Sequence, residues 1–252
     1  MIGVLALREL RALFLSPLAW AVLAVIQLIL AYLFLAQLEE YFTLQPRLQV
    51  LDNAPGVTEI VVAPLYGSAA FILMMVVPLI TMRVVSDERR NRTLPLLFSA
   101  PVSMTEIVVG KYLGVLGFLL IMVGMLTLMP LSILVAGPLD LGLLASLVLG
   151  TVLLLGAFAA AGVFISTLTD QPAVAAIGGF GLLLLLWIID WAGDKVDQAA
   201  ASGLLAYLSI LRHFQALGRG LFSTADVIYY LLFITVFLVL AIRRLDNDRL
   251  QR

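Results

Sequence analysis

The chain has 252 residues, 63% hydrophobic and only 12% charged, with a formal net charge of −1. A soluble domain of this length hides its apolar side chains in one core and covers that core with charge. Here the apolar segments are too long and too uncharged for that. No segment alternates polar and apolar residues with the period of an outer-membrane barrel, which leaves an all-α, polytopic membrane protein.

The first element is Ile2–Leu15, where Arg8, Glu9 and Arg11 sit among Leu, Val and Phe. The i, i+3 spacing puts Arg8 and Arg11 on one helical face. Ser16–Pro17 then interrupts the run. The expectation is a short interfacial elbow helix that turns into the first span; a single longer helix with a Pro kink is the alternative.

Six apolar stretches reach the roughly 20 residues needed to cross about 30 Å of hydrocarbon. They fall at about 18–38, 60–82, 107–135, 141–168, 173–191 and 225–242. Between the first two, Glu39–Glu59 carries four carboxylates (Glu39, Glu40, Asp52, Glu59) and the breakers Pro46, Pro55 and Gly56, as a solvated connector does. Pro64 and Pro78 lie in the second span, where freed backbone carbonyls require packed neighbours. The connection from Arg83 to Lys111 is basic and punctuated, a candidate cytoplasmic handle. Ser103 and Glu106 have capping-box spacing at the start of the third span.

That span contains Gly110, Gly114 and Gly117, a GxxxG spacing that permits close helix approach and also arises often by chance in Gly-rich membrane chains. The fourth span repeats the small-residue pattern at Gly150, Gly156, Ala157, Ala161 and Gly162. Asp170–Pro172 is a tight turn, so the fourth and fifth spans are expected to be antiparallel neighbours. Residues 202–222 are apolar but broken by Arg212, His213, Gln215 and Gly218–Gly220; they suggest a re-entrant or surface-lying element on the outer face. Within it His213 is expected to be a satisfied interfacial residue. Ser223 with Asp226 has capping spacing before the last span.

Six crossings put both termini on the side of the handle. That side holds Arg8, Arg11, Arg83, Arg89, Arg90, Arg92, Lys111, Arg243, Arg244, Arg249 and Arg252, eleven basic residues, against four (Arg47, Lys195, Arg212, Arg219) on the other. The bias predicts cytoplasmic termini. The absence of cysteine excludes disulfides and thiolate metal sites and leaves the compartment open. The first span is long enough to stay in the membrane, so no cleavable signal peptide is expected.

Catalytic chemistry is sparse. There is no GxxxxGK[ST] phosphate loop, and the one Gly-Lys pair, Gly110–Lys111, opens a helix rather than following a strand. His213 is the only histidine, which excludes HExxH and His-rich metal sites. The span interiors lack the buried carboxylates, Arg or His that proton- and sodium-driven carriers use; Gln27 is the most central polar side chain. The chain is therefore expected to be no enzyme and to bind no cofactor. If it transports, its energy arrives through a partner, and apolar spans with small-residue faces suit an amphiphilic or peptide-like cargo.

The segment Pro78–Gly114, PLITMRVVSDERRNRTLPLLFSAPVSMTEIVVGKYLG, carries a recurring order: an acidic-basic cluster (Asp87, Glu88, Arg89, Arg90), Thr93-Leu94, an apolar stretch with Leu96 and Leu97, Pro101, then Ile107-x-x-Gly110-Lys111. With Arg8-Glu9-Leu10, Ser16-Pro17-Leu18 and His213–Leu231 it resembles the six-helix ABC-2 type permeases of ABC transporters, especially the gliding-motility and nitrous-oxide-reductase-maturation branch. The likeness runs over most of the chain. It departs at Arg92, where the family commonly has Gly, and at Pro95, where it commonly has Glu.

The resemblance implies a single permease domain over 1–252 in the inner (cytoplasmic) membrane. It implies a coupling helix within Asp87–Phe98 that docks into a separate ATPase subunit carrying ATP and Mg. It also implies an elbow helix beside that contact and a second permease chain, as a homodimer, around an export pathway. Docking then falls to Asp87, Glu88, Arg89, Arg90, Arg92, Thr93, Leu94, Leu96, Leu97 and Phe98: charge-assisted contacts from the cluster and apolar anchors from the leucines and Phe98. The other reading of Arg89, Arg90 and Arg92 is attachment of the loop to anionic lipid heads. The other reading of the whole chain is a non-transporting anchor or mechanical transmitter between an ATPase and an outer-face partner. Nucleic acid is not an expected partner.

Overall fold

The computed structural model describes residues 1–48, 55–93, 102–135, 137–193, 209–220 and 222–250. In chain order these form α1 (Ile2–Leu15), α2 (Pro17–Leu48), a π turn (Thr58–Val62), α3 (Ala63–Thr81), α4 (Ser86–Arg90) and α5 (Met104–Leu131). A 3-10 turn (Ser132–Val135), α6 (Leu141–Leu168), α7 (Pro172–Gly193), α8 (Ile210–Gly218) and α9 (Thr224–Leu250) follow. No strand occurs among the described residues. Six helical stretches are long and apolar enough to cross a membrane.

The helices outrun the spans in several places. Residues 39–48, expected in a solvated connector, continue α2, and the last helix runs on to Leu250 rather than ending near Ile242. Hydropathy marks where lipid ends, whereas the i→i−4 ladder continues wherever the side chains tolerate it. Glu39, Glu40 and Gln45 do, and so do the charges of Arg243–Arg249. Ser16 is extended (φ −83°, ψ 127°), so the chain breaks cleanly between α1 and α2 instead of kinking one helix.

Helix α6 is the hub. Two-thirds (67%) of its most apolar window is buried, against 22% for α7 and for α9. It packs on α3, α5, α7, α8 and α9. A row of small residues makes this possible, because without side-chain bulk neighbouring backbones approach closely. At Gly162 an added Cβ would lie 2.2 Å from Thr81 Oγ1, and at Gly156 it would lie 3.1 Å from the Tyr112 hydroxyl. That hydroxyl donates to the Gly156 carbonyl at 3.3 Å, tying α5 to α6. The fourth and fifth spans do pack as neighbours across the 169–171 turn.

The GxxxG of α5 does not join two spans. A Cβ at Gly110 would meet Leu5 Cβ at 2.6 Å, and one at Gly114 would meet Glu9 Cβ at 2.5 Å and the Ala6 carbonyl at 2.9 Å. The small face of α5 is the bed of α1. Gln27, the central polar group of α2, donates Nε2–H to the Met122 carbonyl at 3.2 Å. Tyr66 and Thr127 share a hydrogen bond of 2.9 Å between α3 and α5. Buried polar groups in lipid require such partners.

Candidate coupling site

At one end of the bundle the ends of α3, α6, α7 and α9 meet α1, α4 and the start of α5. After Thr81 the chain makes a tight turn through Val84–Val85 into α4, the single turn SDERR. One hydroxyl makes three of the hydrogen bonds that hold the turn. Ser166 Oγ, near the end of α6, accepts hydrogen bonds from the Val85 and Ser86 backbone N–H groups, both at 3.1 Å, and donates to the Met82 carbonyl at 3.1 Å. Those N–H groups are otherwise orphans of the α4 N-terminus, and a buried orphan donor is expensive. Ser86 Oγ also bonds the Met82 carbonyl.

The expected docking cluster divides into two sets. Glu88 and Arg89 turn inward. Lys111 is only 7% exposed, and its ammonium lies 2.8 Å from Glu88 Oε1, 3.2 Å from Glu9 Oε2 and 2.7 Å from the Val84 carbonyl. Its three N–H donors thus engage α4, α1 and the turn before α4, a full complement for an ammonium group. Arg89 pairs with Asp248 of α9 and stands 3.8 Å from Asp170, in the turn between α6 and α7. Desolvated pairs of this kind hold position chiefly because breaking one leaves an uncompensated charge.

Asp87, Arg90, Arg92 and Thr93 form the other set. Arg90, Arg92 and Thr93 are exposed, and neither Arg90 nor Arg92 has an ion pair among the described residues. Asp87, Arg90 and Arg92, with Arg83, Asp170 and Gln171, line an open cavity of about 940 Å³. Arg92 adopts φ +56°, the left-handed region that favours glycine. It stands where the resembled family commonly has Gly, so the departure in residue type leaves the backbone conformation in place. Leu94, Leu96, Leu97 and Phe98 lie outside the described residues.

Beside the cluster, α1 presents Arg8 and Arg11 outward while Glu9 faces Lys111. Ser103 and Glu106 form the expected capping box at the start of α5: Ser103 Oγ accepts from the Glu106 N–H, and Glu106 accepts from the Ser103 N–H. Sequence reasoning missed Ser166, Asp170 and Asp248 as members of the site. The Arg244–Asp248 spacing of i, i+4 was the available sign that α9 continues beyond the apolar run. Nothing local marks Ser166 apart from other serines.

At the opposite end, α8 packs one face against α6. Ile210, His213, Phe214 and Leu217 are buried, and Ser146 Oγ donates to the Leu217 carbonyl at 2.7 Å. Asp226 does not complete a capping box with Ser223. Its carboxylate stands 2.6 Å from His213 Nδ1, and His213 stacks on Tyr229 with ring centroids 4.0 Å apart. His213 is thus satisfied, as expected. Residues 202–208 of that element lie outside the described residues.

The described residues thus form a bundle with six membrane-length helices and a short charged helix clamped at one end. The model of the ABC-2 family transporter protein matches residues 4–250, and the chain belongs to that family. It is a transmembrane permease component of an ABC transporter, a class that works with an ATPase subunit. No curated protein matches the chain significantly.

Proposed function

We propose that the ATPase subunit docks at the cavity beneath α4, and that its ATP-driven movement passes through α4 into the bundle. The observation that carries this reading is the division of the charged cluster. Lys111, Ser166 and Asp248 hold α4 from within, while Arg83, Arg90 and Arg92 have no ion pair among the described residues and stand beside an open cavity. A partner pushing on α4 therefore moves α1, α5, α6 and α9 together. Arg side chains at such a surface suit bidentate contacts with a partner's carboxylates.

On the same reading the chain has no catalytic activity of its own and binds no cofactor, and ATP and Mg belong to the partner. Both termini are cytoplasmic, α1 rests at the inner leaflet with Arg8 and Arg11 toward the headgroups, and the membrane is the cell's inner one. Two copies surround a pathway for exporting an amphiphilic or peptide-like cargo, as in the gliding-motility and nitrous-oxide-reductase-maturation branch. The eleven-to-four distribution of basic residues and the handle motif support this reading.

The test reverses the outward charges only. Arg90→Glu with Arg92→Glu should abolish co-purification of the ATPase while leaving the permease folded, as judged by its elution profile and thermal transition. An intact complex with undiminished transport refutes the assigned contact.

A second reading, a mechanical transmitter acting on an outer-face partner, draws on the tight seating of α8 between α6 and α9. Liposomes containing the complex and a range of labelled amphiphiles separate the two. Steady ATP hydrolysis with no cargo movement favours the transmitter.

A further inference from the structure

A second, smaller cavity of about 220 Å³ lies on the other side of Arg83, between the end of α1, the Ser16 break, the start of α2 and the end of α3. Its composition is graded. Leu18 and Leu79 line the part next to the spans, while Ser16, Arg83, Asp87 and Glu9 line the part next to the charged end. Glu9 is committed to Lys111. Among the described residues Arg83 and Asp87 have no ion pair with each other or with any other group, and the Ser16 hydroxyl has no hydrogen bond. Ser16 immediately precedes α2 and Arg83 follows the end of α3 at Thr81, the positions at which an apolar helix passes from hydrocarbon to headgroups.

We propose that this groove holds one phospholipid whose headgroup carries both a phosphate and a primary ammonium. The phosphate accepts from the Arg83 guanidinium and the Ser16 hydroxyl, the ammonium donates to Asp87, and an acyl chain follows Leu18 and Leu79. A cation, a carboxylate and a hydroxyl at one mouth, above an apolar floor, match a zwitterion better than an anionic lipid, which would meet the Asp87 charge. Arg supplies the bidentate geometry that phosphate prefers. The lipid wedges between α1 and α3 and so braces the elbow against the element that leads into α4. Arg83 and Asp87 also line the larger cavity assigned to the ATPase, so the site is tested by lipid retention on the chain alone, with no ATPase present.

The experiment is native mass spectrometry of the full chain, released from nanodiscs containing phosphatidylethanolamine, phosphatidylcholine and phosphatidylglycerol in equal amounts. One phosphatidylethanolamine should be retained per chain in preference to the other two. Arg83→Gln and Asp87→Asn should each lower that retention at least about ten-fold, the loss expected from one charge-assisted hydrogen bond. Arg83→Lys should restore part of it, which separates loss of the site from loss of the fold. Equal retention of the three lipids overturns the proposal, as does retention unchanged in the Arg83→Gln/Asp87→Asn double variant. Preference for phosphatidylglycerol, strengthened by Asp87→Asn, overturns the zwitterion assignment. Displacement of the lipid by millimolar inorganic phosphate or glycerophosphoethanolamine shows a site for soluble phosphates and overturns the lipid as occupant.

Discussion

Lys111 Nζ stands 2.8 Å from Glu88 Oε1, although the two residues come from different helices and the chain between them passes through the whole handle. The same ammonium reaches Glu9, so one buried cation joins the first helix of the chain to α4. Any displacement of α4 is shared with α1 by electrostatic necessity. Separating them would leave two half-buried carboxylates without a counter-charge.

Lys111→Met should therefore destabilise the protein by about 3 kcal/mol, the order of effect of removing one partner from a buried ion cluster. Adding Glu9→Gln and Glu88→Gln should recover most of the loss, because the uncompensated charges are then gone. Thermal unfolding in nanodiscs compares the variants. A triple variant no more stable than Lys111→Met would show that the lysine acts through packing alone.

Ser166→Ala removes the acceptor of two backbone N–H groups and leaves both buried. The expected loss is about 1–3 kcal/mol, concentrated locally. Hydrogen exchange should accelerate at Val85 and Ser86 while α5 keeps its protection. Uniform acceleration across the bundle would contradict a local clamp.

Gly114→Ala places a methyl group 2.5 Å from Glu9 Cβ and 2.9 Å from the Ala6 carbonyl, a collision with helix backbone that no rotamer relieves. It should push α1 off α5 and weaken the Glu9–Lys111 contact. Gly124→Ala on the same helix meets nothing within 4 Å and should be tolerated. Protease sensitivity at the Ser16 break distinguishes the two: cleavage there should rise in the first and stay at the wild-type level in the second.

Arg92 holds a left-handed conformation that costs a non-glycine residue about 1 kcal/mol. Arg92→Gly should keep the fold and raise the thermal transition slightly, whereas Arg92→Val, β-branched, should lower it. If ATPase co-purification falls in Arg92→Gly while stability rises, the arginine is retained for contact rather than for structure.

Much of the architecture could be read along the chain. The six spans, the break at Ser16–Pro17, the capping box at Ser103 and the tight 169–171 turn are local patterns; all stand in the structure, and each span starts within a few residues of its expected place. The extents of α2 and α9 were underestimated because apolarity and helicity stop for different reasons. The site was half legible. Composition identified the charged cluster around α4, and the family order pointed to Lys111, but neither separated Glu88 and Arg89, which face inward, from Arg90 and Arg92, which face out. Adjacent residues on one helical turn differ by about 100° in direction, and which direction is inside depends on what packs there.

Residue chemistry read in order was enough to establish a helical membrane protein with six crossings, since transfer into lipid is a sum over neighbouring side chains. Which charges pair, where Gly110 and Gly114 make contact, and which arginines remain open to a partner were set by packing. Contacts such as Arg89 with Asp248 join segments far apart in the chain, and their geometry exists only once the small-residue rows of α5 and α6 have brought the backbones together.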